Sequence, residues 1–146
     1  MKLFKKKSKT DPEKLEIKRL LGLLSGDPMR EERDIPHKKL PEYGEKIKEQ
    51  ILIELDQTGI LGPDEYGRGD MLLFLSEFPD KQVIDIIVSH LDHVRAYVRI
   101  QALTALLNIP SALIDDNISE DVKMLKKDKE YEVRELAAKV IKHIKS

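Results

Sequence analysis

An all-α fold assembled from copies of one helix pair is predicted by three features of this chain of 146 residues. Apolar residues recur at helical spacing in nearly every segment, and no stretch alternates apolar and polar residues as a half-buried strand does. The core pattern of "YEVRELAAKVIKHI" at 131–144 has been used once already, in "AYVRIQALTALLNI" at 96–109. Proline and glycine punctuate the chain at intervals that suit short helices.

The elements follow in order. Residues 1–10 hold no sustained period and form a basic tail. Thr10 or Asp11 caps a helix that begins at Pro12, where a missing amide hydrogen is no loss, and runs to about Ser25 on Ile17, Leu20, Leu21 and Leu24. The stretch "DPMREERDIPHKKLP" carries three prolines among many charges and reads as a linker with room for a helical turn. Pro41 starts a long helix, carried by Ile47, Ile51 and Leu55 and ended near Thr58-Gly59. "GILGPDEYGRGD" holds four of the chain's seven glycines and reads as a flexible connector. Helices then follow closely in "MLLFLSEF", "KQVIDIIVSHL", "AYVRIQALTALLNI", "SEDVKMLKK" and "YEVRELAAKVIKHI". Residues 11–146 are thus one helical domain, with units at about 40–78, 80–109 and 111–145.

The copies align by fixed shifts. A shift of 35 pairs Val98 with Val133, Arg99 with Arg134, Ala102 with Ala137, Leu106 with Ile141 and Ile109 with Ile144. A shift of 31 pairs Tyr66 with Tyr97, Arg68 with Arg99, Met71 with Ala102, Leu75 with Leu106 and Phe78 with Ile109. Self-similarity at such periods marks stacked helical repeats. The alanines are explicable on their own, because helices approach closely only where side chains are short.

"DKEYEVRELAAKVIKHI" and "DHVRAYVRIQALTALLNI" resemble the HEAT repeat, in particular the short PBS-lyase HEAT-like variety, whose second helix opens with an Asp and a Val-Arg pair. Residues 80–146 carry the resemblance, which extends back to 40 and does not cover the first 39. It implies a short right-handed α-solenoid of about three helix hairpins plus the N-terminal helix. It also implies that Arg99 and Arg134, and Arg68 with them, bond to an Asp of the same or the adjacent repeat. HEAT-like proteins can carry a di-iron hydroxylase site on His-Glu pairs, but the chain has no His-Glu dipeptide. The catalytic role that the resemblance leaves open is that of an accessory subunit or a lyase-like protein.

Composition bounds the chemistry. There is no cysteine, which excludes a disulfide framework, a thiolate zinc site and a cysteine nucleophile. No apolar run approaches the ~20 residues of a membrane-spanning helix, and the N-terminus lacks a signal-peptide core, so a cytoplasmic location is expected. Charged residues make up 36% of the chain and amides are few, a balance that resembles proteins of hot environments. The net charge of −1 hides an asymmetry: Lys2, Lys5, Lys6, Lys7 and Lys9 leave an acidic body behind them.

No catalytic residue and no cofactor are expected. His90 and His93 in "SHLDHV" offer two metal ligands, where three or four are normally required, and the end of a helix gives them capping work instead. "RGD" at 68–70 matches an adhesion tripeptide by chance. The expected function is protein–protein binding as an adaptor, a scaffold or a subunit of a larger complex. Tyr66 and Arg68 are candidate docking residues because both types are enriched at binding hot spots. Gln101, Thr104, Asn108, Glu135 and Lys139 are candidates as polar positions of the second helices. Three alternatives stand beside this reading. Leu3 and Phe4 among the tail lysines fit an anionic membrane surface. Nucleic acid is disfavoured by the acidic body. The apolar end of a short array invites self-association.

Overall fold

Asp11 opens the first helix of the computed structural model, which describes residues 11–146. Its carboxylate accepts from the Glu13 amide, Pro12 stands in the first turn, and α1 runs Pro12–Gly22. The helix ends one turn earlier than the Ser25 expected, and the chain turns at Gly26, whose φ of 99° suits only glycine.

Residues 27–41 are not a free linker. They contain a 3-10 turn, Glu31–Arg33, and a short helix, α2 (Asp34–Lys39), and they bury Arg33, Pro36 and Leu40. The long helix expected from Pro41 is divided: Leu40–Tyr43 is a 3-10 turn, Gly44 adopts a φ of 57°, and α3 spans Lys46–Asp56. Ile47, Ile51 and Leu55 form its buried stripe, as their spacing requires.

The glycine-rich stretch gives the largest correction. Asp64 caps α4 (Glu65–Leu75) through the Gly67 amide, so Gly67 and Gly69 lie inside a helix rather than in a flexible connector. Helix propensity argues against this by about 1 kcal/mol per glycine, and packing overrides it. A Cβ on Gly67 would lie 2.4 Å from Ser25 Oγ, and one on Gly69 would lie 2.8 Å from the Tyr97 ring. The glycines let α4 approach its neighbours.

The remaining helices are α5 (Lys81–Ser89), capped by Asp80, α6 (Ala96–Asn108), α7 (Ile118–Lys123), prolonged by a 3-10 turn to Lys127, and α8 (Tyr131–Lys145). Among the described residues the chain is all-helical, with eight α-helices and no strand. α6 is the central element: Val98, Ala102, Leu103, Ala105 and Leu106 are fully buried, and the helix packs most extensively on α4 and on α8. α3, α5 and α7 pack on the helices that follow them, while α1 packs on α3 and α4. No helix among the described residues is long and apolar enough to cross a membrane.

Candidate functional site

Asp70 sits on the apolar stripe of α4, four residues before Phe74, and is 3% exposed. A carboxylate buried there must find partners, and it finds four. Arg33 Nη2 donates to Oδ2 at 2.6 Å, the Tyr97 hydroxyl to Oδ1 at 2.6 Å, and Gln101 Nε2 to Oδ1 at 3.0 Å. His37 Nε2 stands 3.4 Å from Oδ2, its ring stacked on Phe74. Arg33 is itself buried and spends its Nε on the Leu24 carbonyl. The 3-10 turn, α2, α4 and α6 thus meet at one carboxylate.

The electrostatics follow from these contacts. Burial pushes the Asp70 carboxyl upward, but the hydrogen bonds from His37, Tyr97 and Gln101 together with the Arg33 charge outweigh it and hold the group below the ordinary carboxylate range. Burial and the adjacent Asp70 push the Tyr97 phenol up to about 12. Tyr97 therefore stays a hydrogen-bond donor across the physiological range.

Beside this cluster lies a groove of about 520 Å³, lined by His37, Asp70, Phe74, Glu77, Thr104 and Asn108 among others. Leu73 and Phe74 give it apolar lining, and its other lining residues are polar. Thr104 donates to the Ile100 carbonyl, and Asn108 reaches Ser76 Oγ only at 3.5 Å, which leaves most of its carboxamide open. Thr104 and Asn108 come together here, while Gln101 is spent on Asp70 and Tyr97 in the cluster alongside. Glu135 and Lys139 do not join them: they are exposed on α8, where Glu135 accepts from the Tyr131 hydroxyl.

Tyr66 and Arg68 turn inward. The Tyr66 ring meets Tyr97 edge-on at 5.1 Å with the Arg33 guanidinium above it. Arg68 donates to the Leu55 and Gln57 carbonyls, closing the C-terminus of α3. With Gly69 and Asp70 both buried, "RGD" presents nothing to an adhesion receptor.

Arg99 donates to the His93 and Val94 carbonyls and pairs with Asp128. Its Nε approaches Asp128 Oδ2 to 2.8 Å at an angle unsuited to a hydrogen bond, so that contact is electrostatic. Burial raises the Asp128 carboxyl, and the Glu130 amide and Arg99 more than offset this, leaving it lowered. Arg134 donates to the Asp128 carbonyl.

His90 and His93 lack free lone pairs for a metal. His90 Nδ1 faces the Ile86 carbonyl at 2.7 Å, so it carries the hydrogen, and Nε2 is taken by Arg68 at 3.1 Å. His93 Nδ1 accepts from the Arg95 amide. Burial, together with the Arg68 charge, lowers both imidazoles. No group of three or more ligating side chains occurs among the described residues. The tail candidates Lys2, Leu3, Phe4, Lys5, Lys6, Lys7 and Lys9 lie outside the described residues.

Asp70 and Arg33 carry the site, and the sequence reading passed over both. A charge four residues before Phe74 on an apolar stripe was the available signal for Asp70; Arg33, one of several charges between prolines, gave none. No protein-family model matches the chain, and no curated protein matches it.

Proposed function

We propose that this chain is a non-catalytic HEAT-like repeat protein that binds a protein partner through the groove between α4 and α6. The observation that carries the reading is the contrast within the site. Asp70, Arg33, Tyr97 and Gln101 satisfy one another, whereas Asn108, Thr104 and Glu77 leave polar capacity open beside Phe74. Apolar lining beside unspent polar groups is what a protein interface uses.

The repeat assignment draws support from a recurrence. Arg99 and Arg134 each donate to the carbonyl six residues earlier, His93 and Asp128, so one shift of 35 relates both donors and both acceptors. Arg99 also reaches Asp128 in the following unit, and the second helices α4, α6 and α8 pack in succession. A right-handed solenoid of three hairpins accommodates these contacts.

The test is site-specific photo-crosslinking of the full chain in its own cells, with the crosslinking residue at Asn108 or at Lys139. The groove reading expects one discrete protein joined at position 108, absent at 139, and lost when Thr104→Arg fills the groove. Equal labelling at both positions, or crosslinks to nucleic acid alone, would sink it.

A further inference from the structure

The most exposed large apolar side chains are not scattered. Among the described residues these are Ile60, fully exposed, and Met29, Leu61 and Val94, each more than 80% exposed. All four lie on segments tied side by side. The Gly26 amide donates to Asp64 Oδ2, and the Asp64 amide to Ser25 Oγ. Arg68 holds the Leu55 and Gln57 carbonyls while facing His90, and Arg99 holds those of His93 and Val94. The turn after α1, the α3–α4 loop and the α5–α6 loop therefore share one edge of the molecule. Met124, also exposed, borders Leu91 and Asp92 on the same side.

The α3–α4 loop is built to hold its tip outward. Gly59 adopts a φ of 67°, and Gly62 presses so closely on the Gln57 carbonyl that a Cβ would fall 2.3 Å from its oxygen. The Gly62 amide closes on the Gly59 carbonyl, and Arg68 pins the preceding turn. Two adjacent aliphatic side chains are thus kept in water by a constrained backbone, although polar residues would serve a mere connection equally well.

We propose that this edge docks on a lipid surface, with Ile60 and Leu61 entering the boundary between headgroups and acyl chains. Two observations favour lipid over a protein. The tips come from separate loops and are flanked in sequence by the exposed charges Asp27, Arg30, Asp56, Asp92 and Arg95, unlike the charge-depleted core of a protein interface. A bilayer boundary needs no such core, because each apolar side chain enters it independently. These charges are three acidic and two basic, so attraction to polyanions plays no part and a zwitterionic surface suffices. The groove lies toward the other end of α4, so variants of edge and groove test separate readings.

The chain has no tryptophan, which permits a direct test. The full chain carrying Leu61→Trp is mixed with phosphatidylcholine vesicles, with Lys139→Trp, at an exposed site on α8, as the control. The expected result is a blue-shifted emission for Leu61→Trp, quenched by brominated acyl chains and little changed between low and moderate salt, with neither effect for Lys139→Trp. Ile60→Ser/Leu61→Ser should lower vesicle flotation about tenfold or more, since two aliphatic anchors are removed. An unquenched Leu61→Trp overturns the proposal. So does binding confined to anionic vesicles and abolished by deleting residues 1–10, which would assign the attachment to the basic segment. Concentration-dependent oligomers dispersed by the double serine variant would give the edge to a second copy instead.

Discussion

Removing the Asp70 carboxylate should be among the most damaging single changes the domain can suffer. In Asp70→Ala the Arg33 guanidinium, 7% exposed, keeps its bond to the Leu24 carbonyl but loses its counter-charge. Truncating one partner of a buried ion pair costs about 3–5 kcal/mol, because the other charge remains desolvated. Tyr97 and Gln101 also lose their acceptor, though their mutual contact at 3.2 Å softens that loss. Against a total stability of about 5–15 kcal/mol, the change consumes a large fraction of the folding free energy. The assay is urea unfolding followed by helical circular dichroism on Arg33→Ala, Asp70→Ala and the double variant. Each single change should lower the stability by about 3–5 kcal/mol, and the double should cost at least about 1.5 kcal/mol less than their sum. Strict additivity, or a loss below about 1 kcal/mol for Asp70→Ala, would refute the coupled buried pair and with it the described junction of α2, α4 and α6.

Three further outcomes follow from the same contacts. Gly67→Ala places a methyl group against Ser25 Oγ and should destabilise by about 1–3 kcal/mol in urea unfolding, with Ser25→Ala recovering part of the loss because it removes that oxygen. Arg99→Ala should cost several times more than Arg134→Ala by the same measurement, since Arg99 forms a buried pair with Asp128 whereas Arg134 contributes one hydrogen bond of about 1 kcal/mol. His90 has a folded pKa below its unfolded value, so the unfolded chain binds more protons in that interval; stability is therefore full above about pH 6.5 and is lost as pH falls through the lowered folded value, a loss that His90→Gln should reduce in urea midpoints taken from pH 7.5 to 5.

The helical class was legible because periodicity is local: Ile47, Ile51 and Leu55 announce the buried stripe of α3 without any neighbour in view. The same holds for the Val98–Val133 and Ala102–Ala137 pairings, whose members are all fully buried. The misread segments were those whose meaning is set by distant partners. Gly67 and Gly69 read as flexibility until Ser25 and Tyr97 are seen to occupy the space a side chain would need. Residues 27–41 read as a linker because the partners of Arg33, the Leu24 carbonyl and the Asp70 carboxylate, lie outside the stretch. Tyr66 and Arg68 are residue types that favour interfaces, yet the ring packs beneath Arg33 and the guanidinium closes α3. Composition cannot distinguish a docking arginine from one that holds a helix end.

Asp70 also bears on the geometry of the groove beside it. Apolar helix pairs of similar pattern can stack in more than one offset, and an ion pair in their midst favours the single offset that satisfies it, as buried polar residues do in coiled coils. Here that offset requires Gly69, since any side chain would hold α4 away from Tyr97 and Gln101. With α4 and α6 pinned at the Asp70 end, the groove extends toward Ser76 and Asn108, which meet at 3.5 Å. The cluster thus neutralises its own charges while fixing the geometry beside it. Under the proposed function, partner contact falls to the rim residues Asn108 and Glu77, whose replacement should cost far less stability than that of Asp70 or Arg33.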